Sequence, residues 1–444
     1  MGSIHRSVTR FDRDALVGSY RQPLSDLPTD DDVPDYRYFL TGFRNRLTVA
    51  MNLDGVNFFN AGILAGFGPY VAAYLADQKW TQENIGFVLT ASGLAGLLSQ
   101  IPGGELLDTV RSKRAIIAAG ATIVAISALI IALQPSFPLV FTALMLQGST
   151  GGFLGPAIVA ISLGLVGHAA LPERLGRNQR FSSTGNLVAA ALMGLIGYLW
   201  SYQAIFLTVA ALALPLFVAL ARIRTADIHF GRACGSPDHE LPGLPPRASL
   251  RSLWNSPGLL TFAACLFLFQ LANASVLPLV VEDLVYQGET RSSLVVSALI
   301  VLPQIFVAAI APWVGQWAKN WGRRPLLLIG LAALPIRALL FASVVDPTLV
   351  VAFQLLDGIS GAVLGVLTAL VIADITGGTG RFNLAQGIVG TGSGIGASLG
   401  TTLFGVVAAS FGRTAAFLSI ASVALLAVVI LWLFMPETRP SADR

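Results

Sequence analysis

Twelve stretches of this chain are too long and too apolar for a water-soluble fold: near 47–74, 85–107, 115–133, 139–165, 181–200, 204–221, 259–281, 293–316, 326–345, 349–372, 384–409 and 415–435. A helix needs about 20 mostly apolar residues to cross the hydrocarbon of a bilayer. Inside a bilayer the backbone N–H and C=O groups find no outside partner, so each stretch has to be helical. Charged residues are only 12% of the chain, against about 25% in soluble domains. The expected fold is therefore all-α, with the lipid bilayer as solvent for twelve transmembrane helices.

The chain also repeats itself. Gln147-Gly148-Ser149-Thr150-Gly151-Gly152-Phe153-Leu154-Gly155 and Asp357-Gly358-Ile359-Ser360-Gly361-Ala362-Val363-Leu364-Gly365 are spelled alike and lie 210 residues apart. Pro69 with Pro278, Thr81 with Thr290, and Gly104 with Gly315 recur at nearly the same offset. Residues 47–221 and 259–435 thus form two pseudo-symmetric six-helix halves, joined by a polar linker over 222–258. Five prolines, Pro237, Pro242, Pro245, Pro246 and Pro257, argue against one continuous helix there. Pseudo-symmetric halves are how secondary transporters build a midplane site that opens alternately to either side, so transport is the leading function.

Of the 28 Lys and Arg residues, Lys79, Arg291 and Arg413 fall in loops on one side and Arg337 falls inside a span; the rest lie on the other side with both termini. The positive-inside rule predicts that both termini, including a short tail over 436–444, are cytoplasmic in an inner or plasma membrane. The basic charge is spread over short segments rather than gathered on a soluble domain, which argues against nucleic acid as a partner. Cys234 in the linker and Cys265 in the seventh span form no disulfide or zinc pattern, and no metal site is expected. Residues 1–46 make a cytoplasmic tail too polar and too long for a leader, so the first span is expected to direct insertion. Residues 1–34 lack apolar periodicity and read as a mobile tail. Tyr36, Phe39, Leu40, Phe43 and Leu47 have helical spacing, either as an interfacial helix or as an extension of the first span.

Between the second and third spans the chain reads Gly104-Glu105-Leu106-Leu107-Asp108-Thr109-Val110-Arg111-Ser112-Lys113-Arg114. Between the eighth and ninth it reads Gly315-Gln316-Trp317-Ala318-Lys319-Asn320-Trp321-Gly322-Arg323-Arg324-Pro325. Both resemble the loop signature of the major facilitator superfamily, roughly G-x-x-x-D-x-x-G-R-[KR]-[KR], and with the spans and the repeat the resemblance covers residues 47–435. In that family the loop latches the cytoplasmic side. The resemblance implies that Asp108 meets the start of the eleventh helix near Asn383, with Arg111 and Arg114 in charge pairs. Gly104, Gly315, Arg323 and Arg324 belong to the same gating set. Lys319 stands where the second copy should carry an acid, so an asymmetric latch is expected. Proton-linked members often carry an arginine three residues before the Gln-Gly of the fourth helix, where this chain has Leu144.

Ionisable groups inside a span are costly and mark partners or cavities. Three lie within the spans away from their ends, Asp54, Arg337 and Asp357. Arg337 lies ~12 Å from the end of its span at about 1.5 Å per residue, and Asp357 lies at similar depth on the next helix, which predicts an ion pair. Asp54 has no basic residue at an obvious matching depth and shares one side of its helix with Asn57 and Asn60, which nominates it as a proton-coupling carboxylate beside the Arg337 and Asp357 pair. The family resemblance puts helices one, four, seven and ten around the cavity, so Asn57, Asn60, Gln147, Gln270, Asn273 and Asp357 are its expected wall. Gly392, Gly396 and Gly400 form a small-residue face for close helix contact.

No Walker A sequence or other nucleotide loop occurs, so no cofactor is expected and uphill movement is expected to draw on an ion gradient. Gly396-Ala397-Ser398-Leu399-Gly400 spells the G-x-S-x-G elbow of hydrolases, but mid-span and without a histidine in any span it reads as packing; an enzyme is not expected. The leading reading is a proton-coupled exporter of a small organic solute. An importer of a metabolite, and a non-transporting sensor or scaffold for which Leu144 and Lys319 speak, are the alternatives.

Overall fold

The computed structural model describes residues 36–236, 253, 255–286, 292–344 and 346–439. The tail over 1–34 and residues 237–252 and 254 of the linker lie outside the described residues. Among those described there is no β-strand. The helices are α1 (Tyr36–Ala65), α2 (Gly68–Asp77), α3 (Gln82–Thr109), α4 (Lys113–Leu133), α5 (Phe137–Thr150), α6 (Leu154–Leu199), α7 (Tyr202–Ala221), α8 (Phe230–Ala233), α9 (Pro257–Asn273), α10 (Val276–Tyr286), α11 (Ser292–Trp321), α12 (Arg324–Ser343), α13 (Pro347–Thr376), α14 (Phe382–Phe411) and α15 (Arg413–Phe434). Residues 36–47 form the start of α1 without a break. Residues 1–48 and 49–444 separate as two units, and the description below concerns the second.

Eleven stretches among the described residues are long and apolar enough to cross a membrane. One of them, Phe137–Leu199, runs for 63 residues. It is broken at Gly167, whose φ of 71° suits only a residue without a Cβ. Divided there it supplies two spans, and the total is twelve. Local signals set the other ends: the side chains of Thr81, Ser112, Ser201 and Asp346 accept hydrogen bonds from the first-turn amides of α3, α4, α7 and α13. The first span is α1 and α2, interrupted at Gly66 and Phe67; the seventh is α9 and α10, interrupted at Ala274 and Ser275. The two interruptions sit at equivalent places in the repeat.

Each half has its own apolar core, one around Leu53, Val71 and Phe206 and the other around Phe262, Phe341 and Phe417. Leu163, Leu171 and Leu175 of α6 belong to the second core, so α6 carries packing from one half into the other. Leu98, Leu133, Leu214, Phe411 and Trp432 are mostly exposed. Such faces suit lipid, because the hydrophobic effect gives no reason to bury them there.

The described contacts between the halves concentrate at the end carrying the two loop motifs, and glycines set them. A Cβ on Gly104 would collide with the Asn383 carbonyl, and one on Gly315 with the Pro172 carbonyl. Gly387 lies against the backbone of Gln100, and Gly176 against that of Ala311. An offset of 211 residues converts Gly104 to Gly315, Pro172 to Asn383, Gln100 to Ala311 and Gly176 to Gly387, so the closure is symmetric at the level of the backbone. Gly396 and Gly400 pack on the α9 backbone at Phe267 and Leu271, whereas Gly392 faces open space and is not part of that contact.

Candidate functional site

A cavity of about 390 Å³ lies between the halves, and its polar wall combines six amides, Asn57, Asn60, Gln100, Asn178, Gln179 and Gln386, with the hydroxyls of Ser182, Thr368 and Ser393. Two of the amides reach across from one half to a glycine in the other. Gln100 of α3 lies against Gly390 of α14, and Gln179 of α6 against Gly365 of α13. A second cavity of about 350 Å³ contains Gln270, Asn273 and Asp357. The two adjoin, since Leu364, Gly365, Thr368 and Ser393 line both. Asn57, Asn60, Gln270, Asn273 and Asp357 are thus brought to one connected space. Gln147 lines neither cavity; it is half-buried on α5.

Arg337 of α12 forms an ion pair with Asp357 of α13, and its Nη2 donates to Asn273 Oδ1 at the end of α9. The Arg337 side chain is 3% exposed and that of Asp357 33%. The arginine is therefore largely buried, and the acid faces the open space. Arg337 and Asp357 both line a third cavity of about 270 Å³, with Gln304 and Gln354 in its wall. Arg337 Nε is buried with no acceptor among the described residues.

The expectation that Asp54 lacks a basic partner is corrected. Arg174 Nη2 donates to Asp54 Oδ1 at 2.6 Å, and Arg177 Nε donates to Oδ2 at 2.8 Å. Arg174 Nε also donates to Asn178 Oδ1 at 2.7 Å, and Asn178 Nδ2 donates to Ser162 Oγ at 2.7 Å. Asn57 Nδ2 donates to the same Asn178 Oδ1 at 3.1 Å. By hydropathy residues 166–180 read as a loop, because Glu173, Arg174, Arg177 and Arg180 interrupt the apolar run. The helix in fact continues from Gly167 through all of them. The missed signal was spacing: Arg174, Arg177 and Asn178 recur at helical intervals on one face.

At the motif end, Asp108 is 1% exposed and caps α14. Its Oδ1 accepts from Asn383 N at 3.2 Å and Asn383 Nδ2 at 2.8 Å, and its Oδ2 from Leu384 N at 2.9 Å. The amide before these, Phe382 N, donates to the Cys234 carbonyl at 3.2 Å. The first three orphan donors of α14 are thereby satisfied. Among the described residues Arg111 and Arg114 form none of the expected charge pairs: Arg111 is exposed, and Arg114 donates to Thr225 Oγ1 at 2.9 Å. Glu105 supplies the ion pair instead, with Arg381 just before α14. In the second copy Lys319 meets Glu173 at 3.2 Å, both about half exposed. Arg323 Nε donates to Asp374 Oδ2 at 2.8 Å, and Asp374 Oδ1 lies 3.1 Å from His168 Nε2 in the other half. The backbone amides of Arg323 and Arg324 both donate to the Glu437 carboxylate, which caps α12.

Part of the linker is built into this end. His229 N donates to the Gly164 carbonyl at 3.1 Å on one half, and Gly378 N donates to the Gly235 carbonyl at 2.7 Å on the other. Asn383 Nδ2 also donates to the Ala233 carbonyl at 3.0 Å. Lys113, 1% exposed, donates to the Leu107 and Val110 carbonyls and lies 4.5 Å from the centre of the Phe230 ring. This strap has no hydropathy or motif signature, because most of its contacts run through backbone atoms.

Ser398, the serine of the hydrolase-like spelling, lies within α14 and donates to the Gly394 carbonyl at 3.0 Å.

A family model described as Major Facilitator Superfamily matches residues 53–302 and 262–444. The chain is 36% identical over 402 residues to an uncharacterized MFS-type transporter of Mycobacterium tuberculosis, Rv2456c, covering 89% of this chain and 95% of that one. It is 32% identical over 171 residues to the class G tetracycline resistance protein of Vibrio anguillarum, covering 37% of this chain and 41% of that one. The crystal structure of the human organic anion transporter MFSD10 (TETRAN) superposes with a TM-score of 0.63 at 16% identity, covering 90% of this chain and all of that one.

Proposed function

The chain belongs to the major facilitator superfamily, and from that premise we propose that it is a secondary active transporter working by alternating access as a proton-coupled exporter of a small organic solute. Membership makes it a multi-pass membrane transporter that binds a small molecule within a lipid bilayer. The observation that carries the finer reading is the amide-walled cavity between two halves whose described contacts concentrate at one end. A space held this way can open to the opposite side and, by the equivalent motion of a symmetric frame, to the motif side. The positive-inside distribution supports a cytoplasmic motif end with both termini on that side. Similarity to a tetracycline resistance protein supports export of an organic solute.

Within this reading Asn57, Asn60, Gln270 and Asn273 hold the solute. Asp357 with Arg337 forms the coupling centre, because the acid has access to the cavity and, among the described residues, one cationic partner. Asp54 is better suited to holding α1 on α6, since two arginines already occupy it. Asp108, Gly104 and Gly315 hold the cytoplasmic end shut.

Purified protein in proteoliposomes with an imposed pH gradient tests the proposal, with a panel of organic solutes that includes tetracycline. Solute and protons moving in opposite directions is the expected result. Movement in the same direction means import, and no flux with any solute means a non-transporting member; either overturns the proposal.

A further inference from the structure

Helix α11 carries three tryptophans on its exposed face, Trp313, Trp317 and Trp321, and the rings of the last two are stacked at 5.5 Å. An aromatic belt holds tryptophan at the level of the lipid headgroups. Eight residues of helix set Trp313 about 12 Å from Trp321 along the axis, so this stripe runs from the motif end into the hydrocarbon, deeper than a belt. α11 and α12 both pack on α13 and hardly touch each other, which leaves the interval between them to lipid. Two guanidinium groups stand at its motif end. Arg324 Nη2 donates to the Trp432 carbonyl, and Arg439 Nη1 donates to the Asn320 carbonyl at 2.8 Å. The backbone amides of both arginines donate to the Glu437 carboxylate, which lies against the turn at Gly322 and so brings the two residues to one corner. Among the described residues neither guanidinium meets a carboxylate. The other charges nearby are engaged: Glu437 caps α12, Arg323 pairs with Asp374, and Lys319 with Glu173.

We propose that this corner binds an anionic phospholipid, its phosphate held by Arg324 and Arg439 and an acyl chain laid on the tryptophan stripe. A guanidinium has five N–H donors in a planar fork that matches phosphate oxygens. Arg439 is exposed and Arg324 half-buried. Arg324 Nε is itself buried, so the terminal nitrogens of that residue meet the phosphate. The stripe selects lipid over a soluble phosphate, which gains nothing from tryptophan. A zwitterionic lipid brings its own ammonium towards the arginines and is disfavoured. The site requires only that the chain lie in a bilayer; it is independent of the direction and coupling of transport.

Brominated lipids test it, because bromine on an acyl chain quenches tryptophan fluorescence on contact. The full-length protein is reconstituted in phosphatidylcholine bilayers, into which brominated phosphatidylglycerol or brominated phosphatidylcholine is titrated. Quenching that disappears in Trp317→Phe/Trp321→Phe belongs to the site. Brominated phosphatidylglycerol should produce it at a mole fraction about thirtyfold lower than brominated phosphatidylcholine, as two arginines beside one headgroup imply. Arg324→Ala and Arg439→Ala should each reduce that preference about fivefold, and together abolish it. Arg439 is exposed, so its variant keeps the test open if Arg324→Ala folds poorly. Arg222→Ala/Arg224→Ala, which removes two exposed arginines from the first half, should leave the preference unchanged. Equal quenching by the two lipids would mean annular lipid only and overturn the proposal. So would a preference that survives the double variant or falls as far in the Arg222 and Arg224 pair. Glycerol 3-phosphate at millimolar concentration should not relieve the quenching; relief would mean that the arginines hold a soluble phosphate, and the lipid assignment would fail.

Discussion

The two copies of the loop motif lie in the same backbone frame and do opposite things with charge. In the first half a carboxylate 1% exposed takes three hydrogen bonds from the start of α14. In the second half, at the position 211 residues on, an ammonium meets Glu173 at the surface. The receiving helix explains the inversion. α14 truly begins at Phe382, so its first amides need acceptors and its positive end attracts an acid. Glu173 lies six residues past the Gly167 break, where the amides are already engaged within α6. An acid at position 319 would find no free donor, whereas a lysine finds the Glu173 side chain. The membrane-embedded centres divide the same way. Asp54 is enclosed by Arg174 and Arg177, while Asp357 has one arginine and a third of its side chain open to the cavity. Of these two centres, the first-half acid is held by two arginines and the second-half acid is open to the cavity.

Substitutions can break this contrast, and Asp54→Ala should have the largest effect. It leaves Arg174, 5% exposed, without its counter-ion, and loss of one partner of a buried pair costs about 3–5 kcal/mol. Thermal unfolding in detergent would show this, and a shift no larger than that of a surface variant would contradict the assignment of Asp54 to a sealed pair. Asp108→Ala should follow at about 2–3 kcal/mol, since the α14 amides lose a charged acceptor. The same variant should speed maleimide labelling of Cys234, which is 4% exposed behind Asp108. Lys319→Asp sharpens the point: with Glu173 as neighbour and no free amides to cap, it should destabilise by roughly 1 kcal/mol rather than recreate the first latch. Lys319→Ala should change stability by less than about 1 kcal/mol, as exposed pairs do. If its unfolding shift equalled that of Asp108→Ala, the two latches would be energetically alike and the contrast would fail.

Most of the architecture was legible because lipid imposes a simple rule on composition: spans must be apolar and helical, and a duplicated unit repeats its landmarks. The same rule hid the Asp54 centre. Arg174 and Arg177 lower local hydropathy and give the segment the signature of a loop, although the helix extends past them and returns their charge to α1. Asp108 was legible through its motif, because a capping acid at a fixed loop position is a side-chain feature. The contacts of the strap, of Gln100 with Gly390 and of Gln179 with Gly365 depend on which backbones approach, and no window of sequence carries that information. Arg337 and Asp357 were legible because equal depth on successive helices is countable from span ends.

The strap of residues 228–236 changes what the linker is for anyone who would dissect the protein. A polar stretch between two halves invites a protease site, a split point or a fused reporter. Here the stretch up to Gly235 is stitched to Gly164 on one side and to Gly378 and Phe382 on the other. An insertion there acts as a wedge between the halves and biases whatever it was meant to report.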